Sequence, residues 1–244
     1  MEARESVFVA RYPGFGRRLL YRVRDIPWRV SVVREWLSKS SFGEVYDAVR
    51  PYTMVSYPRL RALYNAVSCV VREDVPGDLV ECGTARGGSA ALMGLASKRM
   101  ASKRTLWVYD TFEGLPPPTH DDPDYEIARD LVGECRGSLE EVTGLLRRLE
   151  IEPFRCVKGL FDDTLPTAEV QRIAVLHIDA DWYRSVMTCL ETLWDRVSPG
   201  GVIQIDDYGH WAGARKAVDE FFARRNIRTR LRYLDYTGRQ AIKE

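Results

Sequence analysis

The sequence is short of the features that mark secreted, membrane-bound and nucleic-acid-binding proteins. Its five cysteines (Cys69, Cys82, Cys135, Cys156, Cys189) are scattered without a C-x-x-C pair, which indicates reduced thiols rather than a disulfide framework or a zinc site. No apolar run reaches the ~18–20 residues of a membrane helix, and residues 1–15 contain no signal-peptide core. Lys and Arg number 36 against 35 Asp and Glu, so there is no basic field for nucleic acid. The composition therefore predicts a cytoplasmic protein that engages neither a membrane nor nucleic acid.

Several common catalytic and nucleotide-binding motifs are also absent. The glycines that follow residue 80 match neither Gly-x-Gly-x-x-Gly nor a P-loop, which argues against nucleoside triphosphates and, less strongly, against NAD. The sequence has no Gly-x-Ser-x-Gly nucleophile elbow. It also lacks a Tyr-x-x-x-Lys pair, which disfavours a nicotinamide-dependent oxidoreductase.

Strand and helix patterns alternate from residue 59 onward. The predicted strands are 79–83, 106–110, 154–157, 173–178, 202–205 and 229–235, and the predicted helices are 59–74, 90–100, 139–149, 185–197 and 212–225. Such alternation predicts an α/β fold with a parallel sheet, in which ligands bind beyond the carboxyl ends of the strands. We assign residues 51–244 to this domain, and expect the polar stretch 116–137 to be a functional loop.

Residues 1–50 differ in composition from the rest of the chain. Residues 1–34 carry eight Arg and only three acidic residues, and apolar residues recur at helical spacing from Val30 to Leu37. We predict a basic helical arm that packs on the main domain or on a partner subunit. The alternatives are a cap over a substrate cleft and a surface for acidic partners.

Residues 81–89 form a glycine-rich turn between a strand and a helix. Gly83 allows a tight turn and close approach of a ligand, and the following helix N-terminus offers N–H groups to a phosphate or a carboxylate. Asp110 ends the next strand, 27 residues after Gly83. An acid at this place can accept hydrogen bonds from both hydroxyls of a ribose. A helix cap or a turn acid is the alternative, but the nearby glycine turn favours the ribose.

Three carboxylates follow two later strands. Asp179 ends one strand, and Asp206 and Asp207 end the next, so adjacent parallel strands would bring the three together. Such a group needs a proton or a cation, and Mg²⁺, Mn²⁺ or Ca²⁺ would suit its oxygens, but a solvated loop cluster is an open alternative. Asp181 is a further ligand or base candidate. Of the histidines, we expect His177 in the core and His210 at the rim of the cleft.

The sequence resembles the macrocin O-methyltransferase family of bacterial natural-product pathways over about residues 52–222. The markers, in order, are Tyr52-Thr53-Met54, residues 77–83 (GDLVECG), Arg86-Gly87-Gly88-Ser89, residues 110–116 (DTFEGLP), residues 161–166 (FDDTLP), Asp179-Ala180-Asp181-Trp182-Tyr183, and Ser198-Pro199-Gly200-Gly201 leading to Asp206-Asp207-Tyr208-Gly209. Ala180 stands where the family often has Gly, and Thr84-Ala85 where it often has Val-Trp.

The resemblance implies a fold and a cofactor. The fold would be that of a class I methyltransferase, with a seven-stranded, mostly parallel sheet, helices on both faces, an N-terminal helical cap and a mobile lid at 116–137. S-adenosylmethionine would bind along Thr53, Met54, Glu81, Gly83, Thr84, Ser89, Asp110, Thr111, Phe112, Phe161 and Asp163. Asp179, Asp206 and Asp207 would bind Mg²⁺ or Mn²⁺.

The implied reaction is methyl transfer to a hydroxyl of a small molecule, most often a sugar of a glycosylated natural product. We hypothesise that two adjacent substrate oxygens chelate the metal and that Asp179 accepts the proton, with His210 as the second candidate. A catechol acceptor is the close alternative. A nicotinamide oxidoreductase and a non-catalytic nucleoside-binding scaffold are more distant ones. We also expect self-association, because the basic arm carries Trp28 and Trp36.

Overall fold

The computed structural model describes residues 41–244, which belong to one compact unit. The predictions for the basic arm therefore lie outside the described residues, except at its end. The helices are α1 (Ser41–Val49), α2 (Tyr57–Arg72), α3 (Gly88–Arg99), α4 (Tyr125–Ala128), α5 (Leu139–Arg148), α6 (Phe161–Thr164), α7 (Tyr183–Leu193) and α8 (Ala212–Arg224). The strands are β1 (Asp78–Cys82), β2 (Leu106–Asp110), β3 (Phe154–Lys158), β4 (Ile173–Ile178), β5 (Val197–Ile205), β6 (Arg232–Tyr233) and β7 (Arg239–Ile242). None of these helices is long and apolar enough to cross a bilayer.

The seven strands form one sheet in the order β3-β2-β1-β4-β5-β7-β6. The first five run parallel, whereas β7 is antiparallel to β5 and β6 is antiparallel to β7. The chain order reverses between β1 and β4, so the crevice at the carboxyl ends of these two strands is where a doubly wound sheet binds its ligand. The predicted α/β fold with a seven-stranded, mostly parallel sheet is confirmed.

The core lies around β4, whose six residues are all buried. Its apolar run Ile173–Ile178 suits a strand that is covered on both faces. Helices α1, α2 and α3 pack against one another, and α7 packs along α8. The strand that leads to Asp179 is therefore fully buried.

Helix α1 belongs to this compact unit, although the sequence pattern grouped residues 41–50 with the basic arm. Phe42, Val45 and Val49 are buried, and the Phe42 ring lies 5.4 Å from that of Tyr57 and 5.3 Å from that of Tyr64. The apolar face of α1 therefore packs on α2, because three of its nine residues form part of the core.

The C-terminal edge of the sheet differs from the expected single strand at 229–235. The chain forms the two-residue strand β6, turns at residues 235–238, and returns as β7 beside β5. Asp235 makes the turn, because its Oδ1 accepts hydrogen bonds from the backbone N–H groups of Thr237 (3.0 Å) and Gly238 (2.7 Å). The predicted strand is therefore present but shortened to β6, and β7 was not predicted.

Candidate active site

The glycine turn after β1 lies directly against the end of β4. Gly83 has a φ of 84°, and a Cβ at this position would collide with the carbonyl oxygen of Asp179. Gly87, with a φ of 85°, starts α3 in the left-handed conformation. Only glycine fits at Gly83, because a side chain would push the two strand ends apart. The turn and the acidic residues therefore line one crevice.

Asp110 lies beside this turn, at the end of β2. Its Oδ2 accepts hydrogen bonds from the backbone N–H groups of Thr84 (2.7 Å) and Ala85 (3.3 Å), and its Oδ1 accepts one from that of Phe112 (2.7 Å). Burial raises the pKa of Asp110, although these backbone donors oppose the shift. The structure thus brings together the glycine turn and the acid that the sequence pairs with it.

Thr53 and Met54 reach the same region from the segment between α1 and α2. Gly88, at the start of α3, has no room for a Cβ, which would lie 2.6 Å from the Thr53 Cβ and 2.7 Å from the Tyr52 carbonyl oxygen. Met54 is 71% exposed, which makes it the most exposed large apolar side chain of the described chain. Thr53 therefore packs at the turn, and Met54 is held outward beside it.

The remaining residues of the expected cofactor pocket surround the end of β2. Phe112 is buried with a φ of 55°, and the Thr111 hydroxyl donates to the Gly114 carbonyl (2.8 Å). Phe161 begins α6, and Asp163 is exposed on the same short helix. Ser89 is buried at the start of α3. These positions lie on the segments that follow β1, β2 and β3.

The predicted trio of acids forms a cluster beyond β4 and β5. Asp206 and Asp207 are buried, whereas Asp179 and Asp181 are partly exposed. Burial and the charges of Asp206 and Asp207 raise the pKa of Asp179 well above its usual range. Burial and the charge of Asp207 do the same for the pKa of Asp181. The cluster therefore has too few cationic side chains to neutralise all four carboxylates.

His177 occupies the middle of this arrangement rather than an ordinary place in the core. It is fully buried in β4, as predicted, but its Nδ1 lies 2.8 Å from Glu81 Oε1 and its Nε2 lies 3.2 Å from Asp206 Oδ1. Burial alone would lower its pKa, yet hydrogen bonds to Asp206 and Glu81 raise that pKa well above its usual value. His177 thus joins the glycine turn to the acidic cluster.

Arg59 is a site residue that the sequence analysis missed. Its guanidinium reaches from α2 to Asp206, with which it forms a close ion pair, and its Nε donates to Asp235 Oδ2 at 3.0 Å. The side chain is only 13% exposed. No local sequence pattern marks Arg59, because its partners lie 147 and 176 residues away.

A cation would have ligands in this cluster, but the compact set differs from the predicted one. Potential ligand atoms of His177, Asp179 and Asp206 lie within 4.8 Å of one another. Asp207 is outside that set, but its Oδ2 is buried without a hydrogen-bond partner among residues 41–244. The structure thus groups two of the three predicted ligands, Asp179 and Asp206, with His177.

His210, which the sequence predicts at the rim of the cleft, is partly buried within a group of aromatic rings. Its ring centroid is 4.9 Å from that of Trp211 and 6.0 Å from that of Tyr236. The indole Nε1 of Trp211 donates to Asp181 Oδ1 at 2.8 Å. Trp211 therefore orients Asp181 and is a second residue that the sequence analysis missed.

The predicted lid, residues 116–137, starts and ends beside the acidic cluster. Trp182 Nε1 donates to the Pro116 carbonyl at 2.8 Å. At the other end, burial and then the negative charges of Asp181 and Asp179 raise the pKa of Cys135 to about 12. The loop contains α4 and a short 3₁₀ helix, Arg129–Leu131, so it is partly structured.

A seven-stranded doubly wound sheet with a glycine turn after β1 and an acid after β2 defines a class I methyltransferase. The solved structure of the O-methyltransferase NovP superposes with a TM-score of 0.73 at 35% identity, covering 79% of this chain and 82% of that one. The calicheamicin methyltransferase CalS11 shares the fold, with a TM-score of 0.62 at 20% identity over 75% of this chain and 77% of that one.

Residues 40–241 match the macrocin O-methyltransferase (TylF) family, and the chain belongs to this family. It is 37% identical over 195 residues to the demethyldecarbamoylnovobiocin O-methyltransferase of Streptomyces niveus, covering 77% of this chain and 74% of the relative. It is 35% identical over 204 residues to the mycinamicin III 3''-O-methyltransferase of Micromonospora griseorubida, covering 80% of each.

A third relative is the 8-demethyl-8-(2,3-dimethoxy-alpha-L-rhamnosyl)-tetracenomycin-C 4'-O-methyltransferase of Streptomyces olivaceus. It is 37% identical over 195 residues, covering 77% of this chain and 74% of the relative. The protein is therefore an O-methyltransferase whose methyl donor is S-adenosylmethionine, as the resemblance predicted.

Proposed function

We propose that the protein methylates a sugar hydroxyl that lies beside a second oxygen on a small glycosylated molecule, with the help of Mg²⁺ or Mn²⁺. One observation carries the proposal, namely the cluster of four carboxylates beyond β4 and β5, directly beside the glycine turn. The name of the tetracenomycin relative gives the methylated position as 4' and the sugar as a rhamnosyl group with methoxy groups at positions 2 and 3, so the oxygen beside that relative's accepting hydroxyl is a methyl ether. A vicinal pair of sugar oxygens offers the two neutral ligands that such a cluster leaves open to a metal.

The cofactor would lie along the glycine turn. Its methionine end would be lined by Glu81, Gly83, Thr84 and Ser89. Asp110 would accept hydrogen bonds from the ribose hydroxyls, and the adenine would be flanked by Thr111 and Phe112. The far side would be closed by Phe161 and Asp163, and the turn would be covered by Thr53 and Met54. Glu81 Oε2 and Thr84 Oγ1 support this assignment, because both are buried without a partner in the described chain. Buried polar atoms without a hydrogen-bond partner are expected where a polar ligand binds.

The acidic cluster fits a hard divalent cation. Asp179, Asp206 and Asp207 would hold it with oxygen ligands, and the orphaned Oδ2 of Asp207 supports a place for a cation there. Burial and the charge of Asp206 raise the pKa of Asp207 to about 6, so a cation would also relieve the repulsion among the carboxylates. A bound metal would act as a Lewis acid on the acceptor hydroxyl and hold it in place.

The proton of the acceptor hydroxyl needs a base within hydrogen-bond reach. From the sequence, Asp179 was the first candidate for this general base and His210 the second. The geometry favours Asp181, because a carboxylate committed to a cation is the weaker base and Asp179 belongs to the cation site. Asp181 is partly exposed to the crevice and is held by Trp211, so its second oxygen can face the acceptor.

The first test is calorimetric titration with S-adenosylhomocysteine, with and without Mg²⁺, with NAD as the control ligand. We expect micromolar binding of the adenosyl ligand and none of NAD. Transfer of a labelled methyl group is then measured to a rhamnosyl polyketide with adjacent free hydroxyls, to the same compound with one of these hydroxyls blocked, and to a catechol. Methyl transfer to the catechol alone would show that the acceptor is a catechol rather than a sugar. Methyl transfer that is unchanged by a chelator would contradict the proposed role of the metal.

A further inference from the structure

The lid rests on the same two loops that carry the acidic cluster. Its ends are joined, since the N–H of Leu115 donates to the Glu134 carbonyl and the N–H of Gly133 donates to the Leu115 carbonyl, both at 2.9 Å. From this neck the lid extends over the loop between β4 and α7 and the loop between β5 and α8. These loops contain Asp179 and Asp181 in one case, and Asp206 and Asp207 in the other.

Asp122 makes the first of two contacts at helix N-termini. Its Oδ1 accepts the backbone N–H of Tyr183, the first residue of α7, at 2.5 Å. Its Oδ2 accepts the backbone N–H of Thr119 at 3.0 Å, and the residue is only 4% exposed. An N–H in the first turn of a helix lacks an intrahelical partner, so a carboxylate placed there is stabilised by a hydrogen bond and by the helix dipole.

Asp124 makes the second contact. Its Oδ2 accepts the backbone N–H of Ala212, the first residue of α8, at 2.6 Å. Gly213, the next residue of α8, leaves the space that Asp122 occupies, because a Cβ at Gly213 would collide with Asp122 Oδ1 and lie 3.0 Å from the backbone nitrogen of Tyr183. One buried lid carboxylate is therefore enclosed between the first turns of α7 and α8.

We propose that Asp122 is a positioning residue that clamps the lid to α7 and α8 and so fixes the spacing of the two acid-bearing loops for metal binding. The N–H of Tyr183 lies two residues after Asp181, and Gly213 lies six residues after Asp207. A carboxylate wedged between these points sets the distance between the loops. The metal part of this inference rests on the proposed function, whereas the clamp itself does not.

Gly213→Ala is the sharpest test, because the added methyl group occupies the Asp122 seat and touches no proposed ligand of metal or cofactor. Gly144→Ala is the matched control, since Gly144 also lies in a helix and a Cβ there would meet nothing within 4 Å in the described chain. Asp122→Ala removes the same contact from the lid side. Hydrogen exchange of the lid and of the start of α7 is measured without ligand, and Mn²⁺ and S-adenosylhomocysteine affinities are measured by calorimetry.

We expect Gly213→Ala and Asp122→Ala each to speed exchange of the lid about tenfold and to weaken Mn²⁺ binding about tenfold, which is the scale of one lost helix cap. Gly144→Ala should change neither quantity, and S-adenosylhomocysteine affinity should hold in all three variants, which also verifies folding. In the Asp122→Ala background, Gly213→Ala should have a much smaller effect than in the wild type, because the Asp122 contact is already lost and only the close approach to the Tyr183 backbone nitrogen remains.

Unchanged lid exchange in both variants would overturn the clamp. Faster exchange with unchanged Mn²⁺ affinity would overturn the positioning role. If the wild-type protein binds no Mn²⁺, the metal proposal fails by itself, and the exchange data still decide whether Asp122 holds the lid.

Discussion

Asp206 and Asp207 are adjacent in sequence, yet the pKa values of their carboxyl groups shift in opposite directions. Burial alone would raise the pKa of Asp206, but the charge of Arg59 and the hydrogen bond to His177 lower it to about 2. Burial and the charge of Asp206 raise the pKa of Asp207 to about 6. Asp206 is therefore the anchored anion of the cluster, and Asp207 is the carboxylate that still requires a partner.

At the residue scale, the first prediction separates the base from the metal ligands. Asp181→Asn should lower kcat about 10²–10⁴-fold, the usual contribution of a general base, while Mn²⁺ affinity stays near that of the wild type. Asp179→Asn should instead weaken Mn²⁺ binding measured by calorimetry. His210→Asn serves as the comparison for the remaining base candidate. A near-normal kcat in Asp181→Asn would contradict the assignment of Asp181 as the general base and leave Asp179 and His210 as the candidates.

The second residue-scale prediction concerns the ion pair of Arg59 with Asp206. Arg59→Met should lower the free energy of unfolding by about 3–5 kcal/mol, because it leaves Asp206 and Asp235 as buried anions without their cation. Chemical denaturation in the presence of a chelator measures this loss. Arg72→Met, an exposed position at the end of the same helix, is the control. Equal stability of the two variants would contradict the role given to Arg59.

At the scale of single elements, the sequence predicted best where the hydrophobic pattern is strong and local. The expected strand 106–110 coincides with β2, and 173–178 coincides with β4. Strand β5 begins five residues earlier than expected, at Val197, because Val197 pairs with Ile173 of β4 and backbone hydrogen bonds to Lys243 hold Gly200 and Gly201. Strand β7 was missed, since its four residues gain strand geometry from pairing with β5 rather than from their own pattern.

The contact between α3 and the segment before α2 leads to the third prediction. Gly88→Ala should weaken S-adenosylhomocysteine binding about tenfold, because the added Cβ would lie 2.6–2.7 Å from Thr53 and Tyr52 and push this segment off the glycine turn. Gly144→Ala, in an open helical position, is the control. Calorimetry measures the affinities, and an unchanged affinity in Gly88→Ala would show that the segment plays no part in the cofactor pocket.

At the scale of the whole molecule, the carboxyl-end crevice could be predicted because topology alone places strand ends side by side. The hydrogen bonds and ion pairs within this crevice could not be predicted from the sequence. His177 meets Glu81 and Gln204 in register across β1, β4 and β5, and this row of buried polar side chains depends on strand order and register. The contacts of Arg59, Asp122 and Trp211 likewise depend on how helices and loops pack on the finished sheet.

The fourth prediction concerns the stability of the loaded protein. Saturating S-adenosylhomocysteine at about 100 times its dissociation constant should add about 2.7 kcal/mol to the free energy of unfolding, which raises Tm by roughly 5–10 °C for a domain of this size. Mg²⁺ should raise Tm further, and a chelator should remove that second increment alone. If a chelator also lowers the rise in Tm caused by S-adenosylhomocysteine, the cofactor and the cation share binding residues, which would contradict the separate sites proposed here.

The joined ends of the lid have a consequence for how such a protein can change. Because Leu115 is hydrogen-bonded to both Gly133 and Glu134, the intervening loop leaves the segment between β2 and α5 and returns to it at a single point. The length and sequence of the loop can therefore be altered without moving the end of β2 or the start of α5. A graft of the corresponding loop from a relative with a different acceptor, keeping Asp122 and Asp124, should transfer acceptor preference and leave the catalytic core intact.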